Sequence, residues 1–179
     1  MKFLLLLIML FPWFLFSQAK NKIIEDQNSE PMLIGYCTRE AFRDSVFASW
    51  FNPEYESYEP DSSAIEMLKE RLSDARFAKQ VEIIIVMGSW CDDSRMHVPH
   101  LYKILDLINY PTNEITLIAV NEDKKTEGDE IKDLAIELVP TIIFYLPALP
   151  AGRDDSELGR IVEMPGKSLE EDMFLVISR

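Results

Sequence analysis

The sequence predicts an α/β fold, a small three-layer sandwich that follows an α-helical N-terminal extension. Residues 81–87 and 115–120 are apolar and rich in β-branched side chains, which is typical of strands buried on both faces. Residues 91–108, between these two runs, have the spacing of a helix. Because a crossover helix joins parallel neighbours, the two strands are predicted to pair in parallel, with helices covering both faces of the sheet.

Further elements complete this predicted domain. A short helix is expected around residues 130–137, followed by strands at 141–145 and 159–163 that form a hairpin. Ser168 and Glu171 have the spacing of a capping box and begin the last helix. The order of elements is therefore β-α-β-α-β-β-α, a sheet whose final hairpin is covered by a terminal helix.

The part of the chain before this domain is predicted to be an extension with two helices. Residues 20–31 are polar and unpatterned, which indicates a flexible leader. Thr38 and Asp61 are candidate caps for the two helices. The predicted organisation is a signal peptide over residues 1–19, an N-terminal extension with two helices over residues 20–78 and the α/β domain over residues 79–179.

The first residues have the pattern of a secretory signal peptide. Lys2 supplies a positive charge, residues 3–16 are apolar apart from Pro12, and residues 17–19 offer a cleavage site with small side chains. An apolar run of this length is shorter than the roughly 20 residues of a spanning helix, although an uncleaved anchor stays an alternative. The sequence therefore predicts an exported protein, periplasmic or extracellular, with no stable membrane span after cleavage.

The charge of the chain excludes some classes of partner. Its formal net charge is −13, so it lacks the cationic surface that neutralises phosphates in nucleic-acid complexes. The same acidity disfavours adsorption to anionic membranes. High solubility is the simplest consequence.

The two cysteines, Cys37 and Cys91, both lie in the predicted mature chain and allow one disulfide at most. Cys91 stands where a buried strand gives way to a helix. The first turn of a helix has unpaired N–H groups and a partial positive charge, and both stabilise a thiolate. Cys91 is therefore the candidate nucleophile.

Three motifs resemble the thioredoxin family: Trp90-Cys91-x-x-Ser94 followed by Pro99, then Val139-Pro140-Thr141, then residues 159–162. The resemblance implies a thioredoxin-like fold in a single-cysteine member. It implies that Cys91 attacks a partner's disulfide and that Trp90 packs beside it. It further implies that Pro140 follows a cis peptide, faces Cys91 and presents backbone to an extended substrate. Protein thiols or disulfides would be the partners, and no cofactor is expected.

Two departures from the family pattern bear on mechanism. Ser94 stands where the family has its second cysteine, so no disulfide can close within the motif and a hydroxyl cannot resolve a mixed disulfide. Ile85 stands where thioredoxins bury an acid. Around the thiol, Asp92 and Asp93 disfavour a further negative charge, whereas Arg95 and the Ser94 hydroxyl favour it, so a moderately activated thiol is expected.

Several alternatives stay open at this stage. Cys37 is either a buried apolar residue or a second thiol that resolves the mixed disulfide. His97 and His100 lack the partners and spacing of a metal site, and none is expected. The main hypothesis is a thiol–disulfide exchange protein of an extracytoplasmic space. The alternatives are a redox-inactive binding module and, with weaker support, a cysteine peroxidase.

Overall fold

A computed structural model describes residues 20–73, 81–111, 115–146 and 156–179. The predicted signal peptide and the predicted boundary at residue 79 lie outside these ranges. The described residues form a mixed α/β structure with one six-stranded sheet and four α-helices. The strands are β1 Lys22–Glu25, β2 Pro31–Cys37, β3 Glu82–Met87, β4 Ile115–Ala119, β5 Thr141–Leu146 and β6 Ser156–Val162, and the helices are α1 Ser45–Ser57, α2 Ser62–Ser73, α3 Asp92–Leu107 and α4 Leu169–Ile177.

The strand order in the sheet is β1-β2-β4-β3-β5-β6. β3 and β4 pair in parallel, with Ile85 opposite Leu117, and α3 connects them as the sequence predicts. β5 pairs antiparallel with both β3 and β6, which confirms the predicted hairpin. The carboxyl ends of β3 and β4 therefore lie at one edge of the sheet, beside the start of β5.

The prediction of a flexible leader over residues 20–31 is wrong. β1 and β2 form an antiparallel hairpin, and β2 continues the sheet by pairing with β4, with Gly35 opposite Ala119 and Cys37 opposite Leu117. Two α-helices are present in this part of the chain, as predicted, but the first, α1, begins later than expected and follows a 3-10 helix, Arg39–Arg43. The prediction that Thr38 caps the first helix is wrong, because Thr38 makes no side-chain capping hydrogen bond and Asp44 caps α1 instead. Asp61 caps α2 by accepting a hydrogen bond from the N–H of Ala64 at 2.9 Å.

All four α-helices contribute to a single apolar core on one face of the sheet. Alternate residues of the central strands point into this core, as the twofold periodicity of a strand requires. They include Ile83 and Ile85 of β3, and Ile142 and Phe144 of β5. Burying this face removes apolar area from water, which is the main favourable contribution to folding.

Among the described residues, no helix covers the opposite face of the sheet. Its core comprises Val86, Ile118, Val120 and Val139, and the partly buried residues packed on it include Ile131, Leu134 and Ile136. The helix predicted around residues 130–137 is wrong, because residues 120–140 form turns and irregular backbone, with Ala135 at φ 50°. Apolar residues at 131, 134 and 136 cover the sheet from this irregular segment. A three-layer sandwich with helices on both faces is accordingly not confirmed.

The terminal helix α4 is fixed at its start by charge and hydrogen bonds. Ser168 and Glu171 form the predicted capping box. Glu170 is buried, with 2% of its surface exposed, and its carboxylate accepts hydrogen bonds from the Tyr58 hydroxyl at 2.6 Å and the Asp61 N–H at 2.7 Å. The α1–α2 connection is therefore joined to α4. No helix in the described ranges is both long and apolar enough to cross a membrane.

Candidate functional site around Cys91

Cys91 occupies the position immediately before the first turn of α3. β3 ends at Met87, and the chain turns so that the Cys91 N–H donates to the Gly88 carbonyl at 3.0 Å. Cys91 has extended backbone angles, φ −87° and ψ 126°, while its carbonyl accepts from the Arg95 N–H at 2.9 Å. Its side chain is half-buried. Cys91 is therefore the N-cap residue of α3, although its side chain makes no capping hydrogen bond to the first helical turn.

The Val139–Pro140 peptide bond is cis, and it faces this cysteine. The Cys91 thiol donates to the Val139 carbonyl, with 3.2 Å between sulfur and oxygen. Pro140 is itself held by its carbonyl, which accepts from the Glu163 N–H at 2.7 Å. Two segments that are distant in sequence thus meet at the thiol, one from the start of α3 and one from the start of β5.

The Trp90 side chain connects the turn before Cys91 to the end of β4. Its indole N–H donates to the Val120 carbonyl at 2.9 Å, and its ring packs on the core of the second sheet face. The ring lies so close to Gly88 that a Cβ added there would be 2.6 Å from Trp90 Cε2. The turn before Cys91 therefore requires glycine at position 88, because of the adjacent indole.

Ser94 and Arg95 both hold the backbone of this turn. Ser94 is fully buried, and its hydroxyl oxygen accepts from the Gly88 N–H at 3.2 Å. Arg95 Nε donates to the Ser89 carbonyl at 2.7 Å. These contacts position the residues that precede Cys91. The influence of Ser94 and Arg95 on the thiolate itself stays a prediction.

The two aspartates after Cys91 lie in the first turn of α3. Asp92 is exposed and Asp93 is half-buried. Carboxylates at this position interact favourably with the partial positive charge of the helix end. They also place two negative charges next to the sulfur.

Cys37 is buried on the other side of the sheet from Cys91. Its side chain belongs to the core that faces the helices, whereas Cys91 packs against the core of the second face. Cys37 is paired with Leu117, which is paired with Ile85, so two strand spacings of roughly 10 Å in total separate Cys37 from β3. Both cysteines are free thiols. Burial raises the pKa of Cys37 to about 11, which leaves this thiol protonated and unreactive near neutral pH.

Ser89 is a positioning residue that the sequence did not reveal. It is buried, and its hydroxyl oxygen accepts from the Leu33 N–H of β2 at 2.9 Å. The N-terminal hairpin is thereby attached to the turn that carries Cys91. Serine is an ordinary residue in a Gly-Ser turn, so the sequence gives no sign of this role. Its hydrogen-bond partner, Leu33, lies in β2, a strand that the sequence does not predict.

The two histidines of α3 pack among helices rather than facing Cys91. His100 Nε2 lies 3.1 Å from Glu54 Oε2, and its ring stacks on Tyr58 with 3.9 Å between the ring centroids. His97 Nε2 is buried without a hydrogen-bond partner among the described residues. The described residues contain no group of three or more His, Cys, Asp or Glu side chains arranged to hold a metal ion.

Acidification should destabilise the fold through these histidines. Burial lowers the pKa of both His97 and His100, and the attraction of Glu54 opposes this only in part. Because the unfolded chain then binds more protons, stability is constant above the ordinary histidine pKa of about 6.5 and falls as the pH drops below it. Urea unfolding should show a loss of roughly 1 kcal/mol between pH 7.5 and 5.5. A double variant, His97→Gln with His100→Gln, should lose much less stability over that interval. A wild-type protein that is more stable at pH 5.5 than at pH 7.5 would contradict the assignment.

Comparisons with known proteins do not assign the chain to a family. No family model matches it, and no curated protein does. Among solved structures, a protein of unknown function from Pseudomonas aeruginosa is 19% identical with a TM-score of 0.44, over 73% of this chain and 79% of that one. An HIV epitope-scaffold gives 17% and 0.40, over 73% and 72%, and oxidised thioredoxin O2 from Arabidopsis thaliana gives 18% and 0.36, over 64% and 86%. Likenesses this weak establish no function.

Proposed function

We propose that this chain is a thioredoxin-like thiol–disulfide exchange protein that acts through Cys91 alone. The observation that carries the proposal is the 3.2 Å contact between the Cys91 sulfur and the carbonyl of the cis Val139–Pro140 peptide. A half-buried thiol at a helix start can be attacked or can attack from the solvent side. In this proposal an extended segment of the partner lies across the exposed Leu138, which directly precedes the cis peptide, because Val139 and Pro140 themselves are buried.

The proposed reaction is a thiolate–disulfide exchange. The Cys91 thiolate attacks one sulfur of a partner's disulfide, a bond forms between these two sulfurs, and the partner's own S–S bond breaks. The second partner sulfur leaves with the electron pair and takes a proton from solvent. An external thiol, either another cysteine of the partner or a small-molecule thiol, then attacks the mixed disulfide and releases Cys91.

The position of Cys37 supports release by an external thiol. A disulfide requires the two Cα atoms to lie within about 7 Å, and these cysteines pack on opposite faces of the sheet. Exchange with Cys91 would require β2 to leave the sheet, at the expense of its pairing with β4. Cys37 therefore has the role of a core residue in this proposal.

The proposed setting is an extracytoplasmic compartment. Its support is the pattern of residues 1–19, with one lysine, an apolar run and small residues at a cleavage position. Compartments reached by such signals are also those in which protein disulfides persist. Partner proteins that carry disulfides would be available there.

The experiment that tests the proposal is trapping of the mixed disulfide. Purified protein is incubated with insulin, a model protein disulfide, without reductant, and adducts are quantified by intact-mass analysis after alkylation. Because Ser94 cannot resolve the adduct, wild type should accumulate it, and Cys91→Ala should form less than about 1% as much. Ser94→Ala and Cys37→Ala serve as matched controls and should retain it. Adducts that persist in Cys91→Ala would refute the proposal.

A second candidate function is a redox-inactive binding module of the same fold. The burial of Ser94 and its bond to the Gly88 N–H favour this reading, because the position that would hold a resolving thiol is fully occupied by a structural hydroxyl. Reduction of insulin by excess dithiol separates the two functions. An exchange protein accelerates it, and a binding module leaves the rate unchanged.

A further inference from the structure

Exposed apolar side chains adjoin the thiol and the cis peptide. Leu138 immediately precedes Val139 and is 41% exposed, and Met164 is 62% exposed. Met164 follows Glu163, whose N–H donates to the Pro140 carbonyl. Leu138, Met164 and the half-buried Trp90 thus lie on the segments that meet at the thiol and the cis peptide, and we name these three side chains the Cys91 face. Such a surface favours binding of another polypeptide.

Four carboxylates belong to the same segments as the Cys91 face. Asp92 and Asp93 directly follow the cysteine, and Glu137 directly precedes Leu138. Glu163, whose N–H donates to the Pro140 carbonyl, directly precedes Met164. None of the four forms an ion pair with another described residue. Their charges are thus available to a binding partner.

Of the described cations, Arg160 reaches this region by donating to the Leu134 carbonyl, but its charge is already paired with Glu157. The cation nearest to Cys91 in sequence is Arg95, whose Nε is bound to the Ser89 carbonyl. The segment 121–137, which covers the second sheet face next to Cys91, has seven carboxylates and three lysines. The surroundings of the thiol are therefore negative, in keeping with the net charge of the whole chain, −13.

We propose that the Cys91 face binds extended polypeptide segments in which the reactive disulfide is flanked by lysine or arginine. This inference rests on the thiol exchange proposed above and names the class of its substrate. The apolar centre accommodates the side chains next to the disulfide, and the four carboxylates attract cationic residues on either side of it. Complementary charge of this kind raises association rates and discriminates against partners of like charge.

Matched peptides test this selectivity. Each contains one cysteine as a mixed disulfide with 2-nitro-5-thiobenzoate and differs only in having two lysines or two glutamates near that cysteine. Attack by Cys91 forms a bond to the peptide sulfur and releases the nitrothiobenzoate thiolate with the electron pair, which is followed by absorbance. Each rate is divided by the rate of the same peptide with 2-mercaptoethanol, which removes the effect of the flanking charges on the disulfide itself.

The lysine peptide should react about tenfold faster than the glutamate peptide at low salt. The ratio should shrink towards one in 1 M salt, where the Debye length is about 3 Å. A variant that combines Asp92→Asn, Asp93→Asn, Glu137→Gln and Glu163→Gln should reduce the ratio at low salt at least threefold. A control with the same net charge combines Glu25→Gln, Glu30→Gln, Glu56→Gln and Glu70→Gln, and it should preserve the ratio.

The outcomes separate the two proposals. Absence of reaction with both peptides would refute Cys91 exchange itself. Reaction with both at equal corrected rates, or a preference for the glutamate peptide, would overturn the charge selectivity and leave the exchange proposal standing. A ratio that falls equally in the control variant would also overturn it, because selectivity would then reflect the overall charge rather than the Cys91 face.

Discussion

Replacing Ser94 by cysteine should convert the protein into a dithiol oxidoreductase. Cys91 and Ser94 are three residues apart at the start of α3, where helical geometry places the Cβ atoms about 5–6 Å apart and the Cα atoms within reach of a disulfide. The new thiol would be able to resolve the Cys91 mixed disulfide. Insulin reduction with excess dithiol should accelerate at least about tenfold over wild type, and an oxidant should produce an internal disulfide detectable by mass.

The matched control for this variant is Ser94→Ala, which removes the hydroxyl without adding a sulfur. It should leave insulin reduction near the wild-type rate, although loss of the acceptor for the Gly88 N–H should cost about 1 kcal/mol of stability or more. Failure of Ser94→Cys to form an internal disulfide after oxidation would contradict the placement of Cys91 and Ser94 on one helical turn.

Gly88→Ala should destabilise the fold and disturb Trp90. The added Cβ would lie 2.6 Å from Trp90 Cε2, so the indole must move and its hydrogen bond to the Val120 carbonyl is put at risk. Such overpacking costs about 1–3 kcal/mol. Urea unfolding followed by far-UV circular dichroism should show this loss, accompanied by a change in tryptophan fluorescence of the native state.

Gly128→Ala provides the comparison for that experiment. Its added Cβ would also meet an atom closer than 3 Å, but that atom is the carboxylate end of Glu130, 2.8 Å away. Because this flexible side chain can swing into solvent, stability should change by less than about 0.5 kcal/mol. Equal losses in the two variants would show that the indole does not fix the conformation of residue 88.

The elements that carry Cys91 could be predicted because their signals are local. The apolar run of β3, the turn at Gly88 and the helical spacing of α3 each lie within a few residues of one another, and the structure confirms all three. Pro140 was expected to follow a cis peptide only from the resemblance of its motif to a family. Periodicity has no bearing on cis peptides, which are a minority even before proline.

The elements that could not be predicted depend on contacts between distant residues. β2 begins with Pro31 and contains Gly35 at φ 74°, two residue types that weaken a strand pattern. It is a strand because it pairs with β4, whose residues Leu117 to Ala119 are distant in sequence from their partners Cys37 to Gly35. The prediction of a helix around residues 130–137 failed for a related reason. The apolar residues at 131, 134 and 136 have a spacing close to that of a helix, but they pack on the sheet from irregular backbone.

The position of Cys37 could not be predicted because it depends on the same pairing of β2 with β4. Once β2 is part of the sheet, strand alternation points the Cys37 side chain to the helix-covered face, and the register next to Leu117 fixes its distance from β3. Neither fact is encoded near Cys37 in the sequence. The sequence therefore left its role open between a core residue and a resolving thiol.

Competitive alkylation of the two cysteines in the folded protein tests the central claim most directly. Native protein is treated with iodoacetamide at pH 8, and each site is quantified by peptide mass spectrometry over time. Cys91 should be labelled and Cys37 spared, because a rise in the Cys37 pKa from 9.0 to about 11 lowers its thiolate fraction about a hundredfold. Unfolded protein should take the label at both. Native protein that labels Cys37 as fast as Cys91, or leaves Cys91 unlabelled, would contradict an accessible thiol at the start of α3.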